Sequence, residues 1–163
     1  MKMIAALVPS LAGLIFAVPA TAQEFTPLAP RTGSELEYVY HDAEGAFYLV
    51  RQNRTGDTVR FWLWSLSREP SGGRMSFDQA ALLIEGDCAT RAVRNLRLEA
   101  YLGEQRVHAR DLDRPAMTPQ PESGGGKALD QACDARPAPG PERRFASLAD
   151  ALAYDETLWP DAN

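Results

Sequence analysis

Two cysteines and two histidines are the residues best suited to metal or nucleophile chemistry in this 163-residue chain. His41 and His108 lie far from each other and from Cys88 and Cys133, without the spacing of a ligand set, so neither zinc nor any other metal or cofactor is expected. Cys88 and Cys133 also lack the C-x-x-C spacing of a redox pair. His41 and Asp42 are neighbours, and a carboxylate can orient an imidazole toward a nucleophile. Adjacent strand residues point to opposite faces, however, so the pair reads as a solvated turn edge. Gly124-Gly125-Gly126-Lys127 imitates a phosphate loop but lacks the leading glycine and the Ser/Thr after Lys127, which makes it a loop. No G-x-S-x-G, H-E-x-x-H or G-x-G-x-x-G pattern is present. The chain is therefore expected not to be an enzyme, with no catalytic residue assigned.

Binding chemistry has a few candidates. Trp62 and Trp64 share one strand parity and so one face, where an aromatic pair could form a contact surface; the preferred reading puts them in the core beneath the helices. Arg91 and Arg97 are expected to face outward beside Glu99, as a solvated row of cross-strand ion pairs rather than an anion site. Ser71-Gly72-Gly73-Arg74-Met75 resembles the S-G-x-R-Y loop of periplasmic lysozyme inhibitors. Through Ser71 and Arg74 it implies an alternative function as an enzyme inhibitor.

Charge narrows the partners. Seventeen basic residues, of which only Lys2 and Lys127 are lysines, face 22 acidic ones for a formal charge of -5. That gives no net attraction to a phosphate backbone, so nucleic acid is not an expected partner. Lys2, the apolar run Met3 to Val18 and the small residues Ala20 and Ala22 have the layout of a signal peptide cleaved before Gln23. The run is shorter than a spanning helix needs and holds Pro9, so no transmembrane segment is expected after cleavage. Loss of Lys2 leaves 16 basic against 22 acidic residues, a formal charge of -6. The product is expected in the periplasm or secreted, where Cys88 and Cys133 form the single possible intramolecular disulfide.

The elements that must position these residues follow from pattern. Residues 1–22 read as the signal, and 23–34, with Pro27, Pro30 and Gly33, as an extended lead-in. Residues 35–135 read as a β-rich domain. Leu36, Tyr38 and Tyr40 alternate, Asp42-Ala43-Glu44-Gly45 supplies a turn, and Phe47 to Val50 resumes a strand. Asn53 to Asp57 holds a second turn. Thr58 to Leu66 carries large apolar groups on both parities, as a central strand covered on both faces does. Arg68 to Ser76 reads as a loop and Gln79 to Glu85 as a strand. Arg91 to Leu102 fits two periods. Leu96, Leu98, Ala100 and Leu102 alternate as in a strand, whereas Ala92, Val93, Leu96 and Ala100 fit a helical stripe; Gly103 followed by Gln105 to Ala109 favours a hairpin. Arg114 to Gly126 reads as a loop and Lys127 to Cys133 as a short helix. Residues 136–163 read as a Pro-rich linker and a helix capped by Ser147, with Phe145, Leu148 and Leu152 as its apolar side.

Val59-Arg60-Phe61-Trp62-Leu63-Trp64, then Gly86-Asp87-Cys88-Ala89-Thr90-Arg91, Tyr101 before a glycine turn, Pro121-Glu122-Ser123 and Ala132-Cys133 together resemble the surface-adhesin protein E-like family of small exported bacterial proteins. The resemblance spans Leu36 to Cys133. It implies an α+β fold, in which a small antiparallel β-sheet is packed by one or two short helices and held by one disulfide, Cys88 to Cys133. It also implies a strand at Arg91 to Leu102 and a non-catalytic role in binding a protein or other envelope macromolecule. The chain has no cysteine after its apolar run to carry the family's lipid anchor, and no binding residue is carried over.

Overall fold

The computed structural model describes residues 29–70, 76–136 and 139–158. The predicted signal segment and the Ser71–Arg74 loop lie outside the described residues. Seven strands form one antiparallel sheet: β1 (Thr32–His41), β2 (Gly45–Thr55), β3 (Thr58–Ser67), β4 (Gln79–Asp87), β5 (Ala92–Leu102), β6 (Gln105–Asp111) and β7 (Arg144–Ser147). They lie in the order β6-β5-β4-β3-β2-β1-β7. Two helices, α1 (Gly124–Ala132) and α2 (Leu148–Leu158), and a 3-10 turn at Pro141–Arg143 complete the described elements. The molecule is mostly sheet, so α+β describes it only loosely.

Sequential pairing follows from tight turns. Asp42 Oδ1 accepts the Glu44 and Gly45 amides at 2.9 and 3.2 Å and closes the β1–β2 turn. Gly56 and Gly103 adopt positive φ in the two-residue turns that join β2 to β3 and β5 to β6. Such turns match the strand twist and need the freedom of glycine. β5 settles the two-period segment as strand, from Ala92 onward.

β3 sits fourth of seven, and its two parities feed two cores. Trp62, Trp64 and Leu66 join Leu36, Tyr38, Tyr48 and Val50 beneath Leu148 and Ala151 of α2. Val59, Phe61 and Leu63 join Val39, Leu49 and Ile84 beneath Ala128, Leu129 and Ala132 of α1. The helices therefore cover opposite faces. The tryptophans belong to the cluster that holds α2 and Ala29, and not to the one beneath α1.

Three boundaries differ from the sequence reading, the first being that β1 already begins at Thr32, inside the stretch read as an extended lead-in. α1 begins at Gly124, inside the stretch read as loop, because the Ser123 side chain caps the Gly126 amide at 3.2 Å. Gly126 has no room for a side chain, since a Cβ there would lie 2.2 Å from the Gln120 carbonyl oxygen. Phe145 belongs to β7, which pairs Leu36 with Phe145 along β1; the segment before α2 is thus an edge strand rather than a helix lead. The Cys88–Cys133 disulfide, with Cα atoms 5.6 Å apart, ties the β4–β5 turn to the end of α1.

Candidate functional site

The row Arg97, Glu99 and Tyr101 alternates along β5, and the register carries it to Leu83, Ala81 and Gln79 on β4, then to Trp62, Trp64 and Leu66 on β3. This row is buried, which corrects the outward placement of Arg97. Arg97 is 5 % exposed and Glu99 fully buried, while Leu102 of the opposite parity is 43 % exposed. The reason is the lead-in. Ala29 to Arg31 crosses this face, Ala29 is buried, and its amide donates to Glu99 Oε2 at 3.1 Å.

Around the Glu99 carboxylate the partners are close. Tyr101 donates its hydroxyl at 2.6 Å and Arg97 its Nε at 2.7 Å. Arg97 Nη1 also bonds Asp111 at 2.7 Å, and Arg106 Nη1 lies 3.6 Å from Glu99. Burial alone would raise the Glu99 pKa; the Tyr101 hydroxyl, the Arg97 guanidinium and the Ala29 amide outweigh it and hold the carboxyl below its usual range. The same burial and the bond to Glu99 push the Tyr101 phenol up. Trp64 and Tyr101 pack with ring centroids 5.3 Å apart. The Arg31 guanidinium lies over both rings, 5.8 Å from the Trp64 centroid and 5.0 Å from that of Tyr101.

The candidate residues fare differently. Trp62 and Trp64 are 1 % and 0 % exposed, so neither indole offers a free contact surface. Arg91 precedes β5 in a turn, takes a positive φ and pairs with Asp130 of α1. It is thus separated from Arg97 rather than aligned with it. His41 accepts or donates at Nδ1 to the Tyr38 hydroxyl at 2.6 Å. Among the described residues no cluster of three or more His, Cys, Asp or Glu could hold a metal ion.

A second polar feature is open. A groove of about 660 Å³ lies where β4 turns into β5, walled on one side by residues 113–116. Leu112 donates to the Leu96 carbonyl, and Met117 and Val93 exchange both backbone hydrogen bonds, so the four residues between span the gap as a wall. Glu85 accepts Arg60 at 2.7 Å and Arg94 at 2.8 Å, and these two guanidinium hydrogen bonds, Arg60 first, lower its pKa. Asp87 Oδ1 accepts the Ala89 and Thr90 amides, of which Thr90 contributes most to lowering its pKa. Arg114 lines the groove exposed and without an ion pair among the described residues.

Asp155 of α2 is a third feature that the sequence reading missed. It is 8 % exposed, its Oδ1 has no hydrogen-bond partner among the described residues, and burial, reinforced by Glu156, pushes its pKa up to about 7. Its i, i+4 spacing from Ala151, and from there to Leu148 at i, i+3, was the available signal. Glu99, Tyr101, Gln79 and Arg31 were missed because no local period shows that an irregular lead-in covers their face.

No family model, curated protein or solved structure matches the chain.

Proposed function

We propose that this chain is an exported, non-catalytic protein of the surface-adhesin-like kind, which binds another macromolecule in the envelope or outside the cell. On this reading it is a small α+β domain that works in the periplasm or after secretion. The observation that carries it is the open groove at the β4–β5 end. Arg94 and Glu85 line it as an ion pair, Glu85 also pairing with Arg60 of β3, and Arg114 on the facing wall has no carboxylate of its own among the described residues. A wide groove with charged groups on both walls suits a protruding segment of a large partner, because complementary charge steers and orients encounter. The disulfide fits an oxidising compartment.

The test is binding of the immobilised protein to envelope fractions and to host-matrix proteins. Saturable binding, weakened by Arg114→Glu and by Arg94→Ala, is the expected result. Absence of saturable binding to either source overturns the reading.

A further inference from the structure

Arg31 occupies a recess equipped for a guanidinium. Two ring faces, Trp64 and Tyr101, lie against its Cζ, and its Nη2 donates to the Gly103 carbonyl at 3.2 Å. The buried Glu99 carboxylate lies in the same row, bonded to the Tyr101 hydroxyl. Gln79, opposite Tyr101 on β4 and 3 % exposed, has a buried side-chain carbonyl oxygen with no hydrogen-bond partner among the described residues. Trp64 Nε1 and Arg31 Nη1 are likewise buried without one. The recess thus offers two ring faces and the Gly103 carbonyl to a planar cation, beside a buried carboxylate already bonded to Tyr101, Arg97 and the Ala29 amide and a buried Gln79 acceptor that Arg31 does not engage. Arg31 fills it while using only part of it.

The segment that delivers Arg31 is not a helix or strand. Ala29 to Arg31 precedes β1 and is held by the Ala29 amide on Glu99, by the Leu148 amide on the Arg31 carbonyl and by the ring contacts. A few local bonds of this kind open more readily than the sheet beneath them.

We propose that the Trp64, Tyr101, Glu99 and Gln79 recess is a guanidinium-binding site, filled by Arg31 in the free protein and taken over by an arginine side chain of a partner polypeptide when Ala29 to Arg31 lifts away. This rests on the reading of the chain as a macromolecule-binding protein and names the chemistry of one contact. The ring faces select the occupant. Glu99 pairs with Arg97 and Arg106 and Asp111 with Arg97, while Arg31 is held by the two rings and the Gly103 carbonyl, so another cation able to stack and donate can replace it, whereas an anionic group is repelled by the ring faces. A lysine ammonium carries the charge but neither the planar stacking face nor the fork of donors.

The experiment uses the full chain and its Arg31→Ala variant, titrated with L-argininamide and followed by tryptophan fluorescence and thermal midpoint. Saturable binding to Arg31→Ala is expected, with a raised midpoint and affinity ~10-fold or more above that of L-lysinamide. Gln79→Leu in the Arg31→Ala background should weaken it. Should Arg31→Ala fail to fold, Arg31→Met keeps the aliphatic stem and serves in its place. The wild-type chain is then titrated with a labelled peptide Ala-Pro-Arg-Thr-Gly-Ser-Glu, the chain's own residues 29–35, followed by anisotropy. Binding that is lost when the peptide's arginine is replaced by alanine supports the exchange. A folded Arg31 variant that takes up no argininamide overturns the site, and a wild-type chain that never accepts the peptide overturns the exchange. Failure here alongside groove-dependent binding of a macromolecule leaves the function reading standing. Success here without any macromolecular partner sinks that reading and the partner clause together.

Discussion

Glu99 is the side chain on which most of the buried polar network converges, with Tyr101, Arg97 and the Ala29 amide bonded to one carboxylate. Replacing it with glutamine removes the buried counter-ion of Arg97 and is expected to cost about 3 kcal/mol, read as a lowered urea midpoint at unchanged m. An unchanged midpoint would show that the network is structurally idle. Asp155 runs the other way, since its carboxyl is buried with no hydrogen-bonding partner at Oδ1 among the described residues, near the C-terminal end of α2 where the helix dipole opposes negative charge. Its folded pKa of about 7 stands above the ordinary 3.8, so the folded state holds the proton more tightly than the unfolded one. Stability from this group is full below pH ~4, falls as pH rises above it and is lost through ~7, a decline on the order of 4 kcal/mol. Asp155→Asn should therefore raise the thermal midpoint at pH 8 and leave it nearly unchanged at pH 4. An equal shift at both pH values would refute the assignment. Neither residue announces itself in the sequence: Glu99 sits in a polar-apolar alternation that reads as a solvated row, and only the irregular Ala29 to Arg31 segment, with no periodicity of its own, turns that row inward.

At the scale of elements, periodicity and turn chemistry are what the sequence displays best. The Asp42 turn, the Gly56 and Gly103 turns and the doubly apolar β3 are all read from local residue types, because each feature is satisfied within a few residues. What depends on a distant partner is harder to read. β7 is only four residues long and exists because β1 offers it an edge, and the first turn of α1 consists of three glycines that no propensity scale would place in a helix. The glycine turn makes a sharp prediction. By propensity, Gly126→Ala should stabilise a helix by ~1 kcal/mol; the added Cβ would instead meet the Gln120 and Pro121 carbonyl oxygens at 2.2 and 2.8 Å. Overlap with backbone outweighs the propensity gain, so the variant is expected to lose about 1 to 3 kcal/mol in chemical denaturation. A more stable variant would show that the Gln120–Ser123 turn yields freely. At the other helix, Ser147 bonds the Asp150 amide at 3.2 Å, and Ser147→Ala should cost ~1 kcal/mol with faster amide exchange confined to α2.

At the scale of the whole molecule, the two helices bury separate apolar clusters on opposite faces of one sheet, so covalent and ionic ties to each are not interchangeable. α1 is braced at one corner. The disulfide joins its end to the β4–β5 turn, Arg91 pairs with Asp130, and Arg51 donates to the Gln131 and Ala132 carbonyls at 2.8 and 3.2 Å while pairing with Glu37. α2 has no covalent tie and rests on Tyr48, whose hydroxyl donates to the Ala151 carbonyl at 3.2 Å, and on the aromatic packing below it. A cross-link that closes a loop across 45 residues restricts the unfolded chain by about 4 kcal/mol in the loop-entropy model, a large share of a small domain's stability. The Cys88→Ser, Cys133→Ser double variant should thus show a thermal midpoint lowered by roughly 15 °C or more. Because the lost tie belongs to α1, the residual loosening of the folded state should also be one-sided. Hydrogen exchange is expected to accelerate at Ala128 to Ala132 while the amides of α2 and the environment of Trp62 and Trp64 keep their protection relative to the new global stability. Equal acceleration on both faces would mean that the two cores open as one unit, and that the sheet transmits the loss of α1 directly to α2.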